Sequence, residues 1–521
     1  MLLNSLRPGH VGGYFLALLA GGMAVVGWAP LAWWPMLLIS YGGLFWLVGA
    51  SARPSTAGLA GLCFGIGLHV TGHGWFYATL TDHVAMGGLT AALVSALVLT
   101  GLALFTALPC MLYAMVCKGM SGRRPLRFVR ASLFAGLMTL GEITRALVFE
   151  RVSSLSVGYG LIDTWWAGAA PVVGCYGLSW LGFWMASYLA CALVLFPGSA
   201  WARLLRASSI VMLALCGLAM QQHRWTTPDT KPWTFQLIQP NIAQDDKFDP
   251  ALKNRITEQV VELLTAKPAE VVIAPETAFP MYWHELPSGV LSTLQNSADL
   301  TASHLIFGIA TTSNRSDGHN SMMHLEPGGH AATQYDKRHL FPFGEYTPLG
   351  LAWMTDGMSI PLKDLSRGAA IQEPFRVMKG QHALWIGVLI CHENMLSDDA
   401  RGWAPHVNLL INPSNLAWFD GSWAVPQSLQ ITRMRALEVG RPILRVANTG
   451  ETAWISASGA IVQQLPKREV ASMSGQVIGE TGLTPYARFG DWPVWGVCLT
   501  GIALAVVSSF RRGHGTESSA R

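Results

Sequence analysis

Charged residues are scarce in this chain. Only 13% of its 521 residues are Asp, Glu, Lys or Arg, against roughly 25% in ordinary soluble proteins. The deficit is uneven: residues 11–220 and 493–510 are almost continuous apolar runs, whereas residues 225–490 have the composition of a soluble domain. The sequence also lacks a basic stripe interleaved with aromatic residues, which excludes the usual nucleic-acid-binding surfaces. The composition therefore predicts a membrane protein with one large water-facing domain.

Metal-binding and disulfide patterns are absent as well. No cysteine pair has Cys-x-x-Cys spacing and the 15 histidines lack ligand spacing, so neither a metal site nor a cofactor is predicted. Cys391 has no possible disulfide partner within the soluble region. The other seven cysteines lie in or beside apolar segments: Cys63, Cys110, Cys117, Cys175, Cys191, Cys216 and Cys498.

The apolar segments predict about eight membrane spans, since a membrane helix needs about 20 apolar residues. They lie near 11–29, 31–50, 57–79, 86–116, 131–149, 166–196, 207–221 and 493–510. The first lacks a small-residue cleavage site and is interpreted as an anchor. The predicted organisation is a seven-helix transmembrane domain over 1–222, a soluble domain over 225–490, a last span over 493–510 and a tail over 511–521.

The placement of basic residues predicts the orientation of the protein. With the N-terminus in the cytoplasm, the inner loops carry nearly all the Lys and Arg, as the positive-inside rule requires. These are Arg53, Lys118, Arg123, Arg124, Arg127, Arg130, Arg203, Arg206, Arg511 and Arg512, whereas the outer short loops hold little besides Arg151. The soluble domain then lies outside the inner membrane, in the periplasm of a Gram-negative cell.

Two ionisable residues, Glu142 and Arg145, lie within the fifth predicted span. Charged residues inside a membrane indicate either a functional site or a structural ion pair, and each is the other's expected partner. The sequence leaves both interpretations open.

The soluble region alternates strand and helix signals, which predicts an α/β domain of roughly 250 residues with its own core. Predicted strands cover 235–239, 271–274, 303–310, 321–325, 333–336, 383–390, 407–411 and 443–446, and predicted helices cover 251–266 and 426–439.

Three of these strands are followed by residues that together suit acyl transfer: Glu276, Lys337 and Cys391. Cys391 can attack a carbonyl, Glu276 can accept and return its proton, and Lys337 can stabilise the oxyanion. The charge of Lys337 is also expected to favour the thiolate. Each residue alone has a structural explanation: a small buried hydrophobe, a helix N-terminal acid and a surface lysine. Their joint position at strand ends favours catalysis.

These motifs resemble the Glu-Lys-Cys triad of the nitrilase superfamily. The resemblance rests on Pro275-Glu276, on Lys337 with the later Pro342-Phe343-Gly344-Glu345, and on Cys391-His392-Glu393. With a membrane domain attached, the chain resembles the apolipoprotein N-acyltransferase family over nearly its whole length. Further matching motifs are Glu142-x-x-Arg145, Gly158-Tyr159, Pro171-x-x-Gly174-x-Tyr176-Gly177, 412–419 and 433–442.

The resemblance implies an αββα sandwich and a two-step reaction. A phospholipid would give its acyl chain to Cys391, and the α-amino group of an apolipoprotein's diacylglyceryl-cysteine would then take it. Glu345 would orient the triad, and Glu393 and His392 would support the nucleophile. A monomer in the membrane is expected.

The chain departs from the family pattern at four places. His392 replaces the usual tyrosine, His319 stands in a usual Tyr-Asn-Ser, Leu416 replaces an acid, and residues 150–156 replace a Gly-Phe-Pro-Trp motif. The triad is intact, so acyl transfer stays the prediction. The alternatives are a membrane-anchored amidase of the nitrilase type, a divergent acyltransferase paralogue with another acceptor, and a transporter or scaffold with an inactive nitrilase domain.

Two apolar segments near the triad predict how lipid reaches it. Residues 349–354, with Trp353, and residues 416–419, with Trp423 nearby, are unusually apolar for a domain in water. Exposed apolar patches mark interaction surfaces, so a mouth facing the bilayer is predicted, the alternative being that both segments belong to the core. The predicted substrate-binding residues are Asn415, Trp418, Phe419, Trp353 and Trp423.

Overall fold

The computed structural model describes residues 10–84, 86–119, 127–149, 153–191, 200–312, 317–342, 344–347 and 364–510. By its packing, the chain divides into two compact units. A helical unit comprises residues 1–77, 88–224 and 488–521, and an α/β unit comprises residues 78–87 and 225–487. Several residues named above lie outside the described part: Arg123, Arg124, Arg151, Trp353, Arg511 and Arg512.

The helical unit is built from apolar helices. Within the described residues, four are long and apolar enough to cross a membrane: Pro54–Gly72, Gly88–Lys118, Phe128–Val148 and Trp165–Ala190. Shorter apolar helices cover Val11–Gly27, Pro35–Gly49, Val211–Gln222 and Trp492–Ser508. All eight predicted segments thus overlap apolar helices, but the number that span the membrane stays a prediction.

Glu142 and Arg145 both contact one turn of the helical unit. Glu142 Oε1 accepts a hydrogen bond from Val157 N at 2.9 Å, and Arg145 donates to Ser154 O at 2.8 Å. His73 Nε2 contacts the hydroxyl of Ser154 at 2.8 Å. The sequence predicts that the two charged side chains pair with each other, whereas these hydrogen bonds tie both to the turn. This favours the structural interpretation.

The α/β unit contains two sheets. The strands are β1 Thr227–Gln239, β2 Val271–Ile273, β3 Phe279–Tyr282, β4 His304–Thr312, β5 Gly318–Leu325, β6 Thr333–Asp336, β7 Phe375–Lys379, β8 His382–Val388, β9 Leu409–Ser414, β10 Ile443–Ala447, β11 Ala453–Ile455, β12 Ile461–Gln464 and β13 Ala471–Thr481. The first sheet has the order β13-β1-β2-β4-β5-β6, with β3 paired to β4, and the second has the order β12-β11-β10-β9-β8-β7.

The two sheets pack face to face and each is covered by helices on its other face, so successive side chains of a strand enter different cores. Phe235 and Leu237 of β1 point into the core shared with the second sheet, while Ile238 joins the core beneath helices Lys253–Thr265 and Ser288–Thr301. This alternation is the period of a strand that is buried on both faces. Helices Ser397–Trp403 and Ala424–Val439 supply buried residues to the opposite side of the shared core. The predicted αββα sandwich is confirmed.

Candidate active site

The three predicted catalytic residues follow the ends of three strands. Glu276 comes three residues after β2, Lys337 directly after β6 and Cys391 three residues after β8. Since β2 and β6 belong to the first sheet and β8 to the second, the site forms where the ends of the two sheets meet.

Lys337 is the centre of the site. Its Nζ lies 2.9 Å from Glu276 Oε1 and 2.9 Å from Glu345 Oε1. Asn320 bridges the same two carboxylates, donating to Glu276 at 2.8 Å and to Glu345 at 2.6 Å. Both Lys337 and Glu276 are almost fully buried. Glu345, predicted to orient the triad, is thus brought into direct contact with it.

The loop that carries Glu276 lies against β4. A Cβ atom at Gly308 would lie 2.3 Å from Thr277 N and 2.7 Å from Glu276 Cα, so only glycine permits this approach. The loop is sharply turned, because Thr277 has a φ of +49°. The second oxygen of Glu276 accepts a hydrogen bond from Asn415 N at 2.7 Å, which brings the predicted Asn415 to the site through its backbone.

Cys391 lies in a strained turn. Its φ is +53°, a left-handed conformation that costs a residue with a side chain about 1–2 kcal/mol. The turn leads into a short 3₁₀ helix, Cys391–Met395. Asn412 Nδ2 donates to Leu389 O at 2.6 Å and to Cys391 O at 3.1 Å, and these hydrogen bonds hold the turn in place.

Glu393 fixes the same turn from inside. Its fully buried carboxylate accepts hydrogen bonds from Ile390 N at 2.7 Å and from the hydroxyl of Tyr335 at 3.1 Å. It also accepts from the backbone of Arg338 and His339. Burial and the neighbouring Asp399 raise the pKa of Glu393 to about 7, against the lowering effect of the Ile390 hydrogen bond. The predicted supporting role of Glu393 thus has a defined geometry.

The charges of the site stabilise one another. Burial acts to raise the pKa of Glu276, but the Lys337 ammonium and the hydrogen bonds that Glu276 accepts outweigh it and hold the pKa below its usual value. Burial likewise acts to lower the pKa of Lys337, but Glu276 and Glu345 raise it well above the ordinary lysine value. Glu276 is therefore ionised and available as a base, and Lys337 is a permanent cation.

The thiol of Cys391 is protonated at rest. Burial raises its pKa, the charge of Glu276 raises it further, and the lowering effect of Lys337 is smaller. The charge of Lys337 favours the thiolate, as predicted, but burial and the charge of Glu276 outweigh it. The thiol donates a hydrogen bond to Glu276. This geometry suits a thiol that loses its proton to Glu276 during attack.

Both parts of the chain match known families. Residues 214–480 match the carbon-nitrogen hydrolase model, and residues 20–188 match the apolipoprotein N-acyltransferase N-terminal domain model. An apolipoprotein N-acyltransferase of Nitrosomonas europaea is 35% identical over 96% of this chain and 99% of its own length. One of Ralstonia nicotianae is 33% identical over 95% of this chain and 93% of its own length. The chain belongs to the apolipoprotein N-acyltransferase family. It is accordingly an enzyme of the N-acyltransferase class and a membrane protein.

In this member of the apolipoprotein N-acyltransferase family, the predicted lipid-contacting residues differ in their surroundings. Phe419 is half-buried, and Phe341 lies between it and the site, 5.9 Å from its ring and 5.5 Å from the ring of His392. Trp418 packs edge-on against His83 at 5.7 Å. Trp423 is half-buried before helix Ala424–Val439. Leu416 and Ala417 are buried, so the first half of the 416–419 segment belongs to the core.

His392 itself is half-buried. Among the described residues, its Nδ1 is a buried atom that has no hydrogen-bond partner. Burial and the charges of Lys337 and His339 lower its pKa well below the ordinary histidine value. The imidazole is therefore neutral beside the nucleophile.

The sequence did not single out two buried cations near the nucleophile. Arg445 in β10 is fully buried and donates to the hydroxyl of Thr432 at 2.7 Å and to Asn412 Oδ1, the residue that holds the Cys391 turn. The sequence does contain a sign that Arg445 is buried, since this arginine interrupts the apolar run 443–447. Lys247 lies next to Glu276, and nothing in its local sequence marks it as buried.

Proposed function

We propose that the protein transfers an acyl chain from a membrane phospholipid to the α-amino group of the diacylglyceryl-cysteine that begins an apolipoprotein. The observation that carries the proposal is the contact of Lys337 Nζ with Glu276 at 2.9 Å beside the Cys391 thiol, within a chain of this family. The acyl group would travel as a thioester on Cys391.

In the first step the Cys391 sulfur attacks the ester carbonyl of the phospholipid while its proton passes to Glu276. Lys337 stabilises the oxyanion of the tetrahedral intermediate, together with a backbone N–H after the nucleophile. When the intermediate collapses, the ester C–O bond breaks and Glu276 returns the proton to the leaving alkoxide. A lysophospholipid departs and the thioester remains.

In the second step the neutral α-amino group of the lipoprotein attacks the thioester. Glu276 accepts a proton from the attacking nitrogen, Lys337 again stabilises the oxyanion, and the C–S bond breaks. The leaving thiolate takes the proton from Glu276, which restores both groups and releases the amide. The same three residues thus serve both half-reactions, as expected for a ping-pong enzyme.

We further propose that the protein lies in the inner membrane, with the domain over 225–490 in the periplasm and the tail over 511–521 in the cytoplasm. The support is the positive-inside distribution of basic residues in the sequence. The 1–222 domain and the 493–510 segment would hold the protein in the bilayer. A donor phospholipid could then reach Cys391 without leaving the membrane, past Phe419, Trp418 and Trp423.

The test is mass spectrometry of the purified protein after incubation with a phospholipid that carries an isotope-labelled acyl chain. The expected result is a labelled adduct on Cys391 that disappears when a diacylglyceryl lipopeptide is added, as labelled amide appears. Cys391→Ala should form no adduct, and Cys216→Ala, which removes an exposed cysteine of the helical unit, should behave like the unmodified protein.

Two results would contradict the proposal. An adduct on another residue would place the nucleophile elsewhere. Release of labelled free fatty acid with or without lipopeptide, and no amide, would identify a hydrolase instead.

A further inference from the structure

Lys247 is a buried lysine that the mechanism above does not use. It ends the short helix Gln244–Lys247, and only 1% of its surface is exposed. Among the described residues, its ammonium makes one hydrogen bond, to the backbone carbonyl of Glu276 at 3.5 Å. Lysine is almost never fully buried unless it is paired, so a lysine in this position needs an explanation.

The segment that carries Lys247 is fastened to the active site. Gln244 Oε1 accepts a hydrogen bond from Asn415 Nδ2 at 3.1 Å, and Asn415 N donates to Glu276. Asn448 clamps the segment just before it, accepting from Ile242 N at 3.0 Å and donating to Ile242 O at 2.7 Å. Lys247 is therefore held next to Glu276 by neighbours that contact Asn415, which in turn contacts Glu276.

The charges of the site leave a place for a second cation. Glu276 and Glu345 carry two negative charges and Lys337 carries one positive charge, so these three contacting residues have a net charge of about one negative unit. Attack by Cys391 brings a further negative charge, first on sulfur and then on the carbonyl oxygen. A second ammonium nearby lowers the energy of each of these states.

We infer that Lys247 is a positioning residue that holds the strained loop after Glu276 and supplies the second positive charge that stabilises the Cys391 thiolate. It acts through Glu276 and Cys391, because its ammonium contacts the Glu276 backbone and no reacting atom. The inference rests on the proposed role of Cys391 as nucleophile. The thiol proton still passes to Glu276, and Lys247 stabilises the charges that remain.

The electrostatics of the site support this assignment. Burial lowers the pKa of Lys247 to about 7, while Glu276 and the Cys391 thiolate raise it. The influence is mutual: a thiolate that favours the ammonium of Lys247 is itself favoured by that ammonium. The charged groups that face Lys247 from neighbouring loops are thus Glu276 and Cys391, and Asp245 and Asp246 precede it on its own helix.

The experiment measures the rate at which iodoacetamide alkylates Cys391, followed by mass spectrometry between about pH 6 and about pH 10. Lys247→Met removes the charge and keeps the length of the side chain, whereas Lys247→Arg keeps the charge. Lys253→Met is the matched control, because Lys253 is a more exposed lysine six residues later that pairs with Glu285. Alkylation needs no acyl donor, so this result is independent of which substrate the enzyme uses.

Because burial lowers the pKa of Lys247 to about 7, its ammonium is present mainly below neutral pH. We expect Lys247→Met to slow alkylation about tenfold at about pH 6, which corresponds to one unit in the pKa of Cys391, and the difference to shrink as the pH rises above about 7. Lys253→Met should keep the original profile, and Lys247→Arg, which stays charged, should be alkylated at least as fast as the unmodified protein. Labelled acyl adduct on Cys391 should form more slowly in Lys247→Met by a similar factor. A merely structural role would lower the melting temperature without moving the profile.

Two outcomes would overturn the inference. One is a Lys247→Met profile that coincides with that of the unmodified protein. The other is a Lys247→Arg profile that is displaced as far as the Lys247→Met profile. If Lys247→Met does not fold, Lys247→Gln replaces it in the same comparison with Lys247→Arg. Failure of the unmodified protein to form any acyl adduct would instead count against the proposed function.

Discussion

Glu393 accepts a hydrogen bond of 2.7 Å from the backbone N–H of Arg338. Arg338 directly follows Lys337, and Glu393 lies two residues after Cys391. One carboxylate therefore joins the loop that carries the nucleophile to the loop that carries the oxyanion-stabilising lysine. Because these loops follow strands of different sheets, this link sets the spacing of the two catalytic groups.

Glu393→Gln should disrupt that spacing. An amide turns its NH₂ group toward donors that need an acceptor, and each buried donor left unpaired costs about 1–3 kcal/mol. A displacement of the nucleophile by about 1 Å lowers the rate on the order of 10²-fold. We expect both a lower melting temperature and a slower formation of acyl adduct. Glu258→Gln, at an exposed position, should change neither, and a Glu393→Gln enzyme of normal rate would refute the assigned role.

The strained backbone at Cys391 gives a prediction about stability. Cys391→Gly and Cys391→Ala both remove the thiol, so neither should form an adduct. Glycine adopts a φ of +53° without strain, whereas alanine does not, and we expect the glycine variant to be more stable by about 1 kcal/mol. The measurement is thermal unfolding of the two variants in the same detergent. Equal or reversed stabilities would mean that the turn is not strained.

Removal of Lys337 should have two separable effects. Lys337→Met should lower the rate of adduct formation by about 10² to 10³. It also leaves Glu276 and Glu345 facing each other without an ammonium, and breaking a buried pair costs about 3–5 kcal/mol. Lys337→Met combined with Glu345→Gln should recover much of the stability and none of the rate. If stability and rate return together, Lys337 has a structural role alone.

Glu276→Gln should lower the rate of adduct formation and leave lipid binding unchanged. The glutamine keeps one acceptor oxygen, which can face Lys337 while its NH₂ group replaces the oxygen that accepts from Asn415 N, and it cannot take a proton from the thiol. We expect a rate loss on the order of 10² or more and binding of a lysophospholipid product that is unchanged. The binding measurement is the control, and weakened binding would show that Glu276 also shapes the lipid site.

The dependence on pH follows from the directions of the pKa shifts. The pKa of Glu276 is lower in the folded protein than its ordinary value of 4.5, so its contribution to stability is present above that value and is lost as the pH falls through the folded pKa. Adduct formation should therefore hold its rate down to acidic pH. Alkylation of Cys391, whose pKa is raised by burial, should keep rising into the alkaline range. A plateau of alkylation at neutral pH would contradict the protonated thiol.

Much of the site could be predicted because catalytic residues here follow strands with strong local signals. The strand over 333–336 was predicted with the bounds that β6 has, and Glu276, Lys337 and Cys391 were found from the polar residues after apolar runs. Strands β3, β7, β11, β12 and β13 were missed. Several of these have exposed or mixed faces, such as the fully exposed β12, so their sequences lack the apolar pattern of a buried strand.

Other features could not be predicted because they depend on contacts distant in sequence. Lys247 resembles any lysine in a polar segment, and its burial depends on residues distant in sequence such as Glu276. The sequence indicated that the charge of Lys337 favours the thiolate of Cys391 but not that burial outweighs this effect, because a sequence shows candidate charges but not the degree of burial. The partners of Glu142 and Arg145 were missed for the same reason, since they lie in a turn more than eight residues away.

Residues 78–87 belong to the α/β unit although they stand between two helices of the helical unit in the chain. Their contacts include the ring of His83 against Trp418, the contact of His83 Nδ1 with Asp245 Oδ1 and the hydrogen bond of Thr79 to the Trp418 carbonyl. A soluble fragment cut at residue 225 would therefore lack a piece of its own fold and leave the aromatic face of Trp418 bare. Anyone producing the α/β unit alone, for crystallography or inhibitor screening, would need to graft residues 78–87 onto it or supply them as a separate peptide.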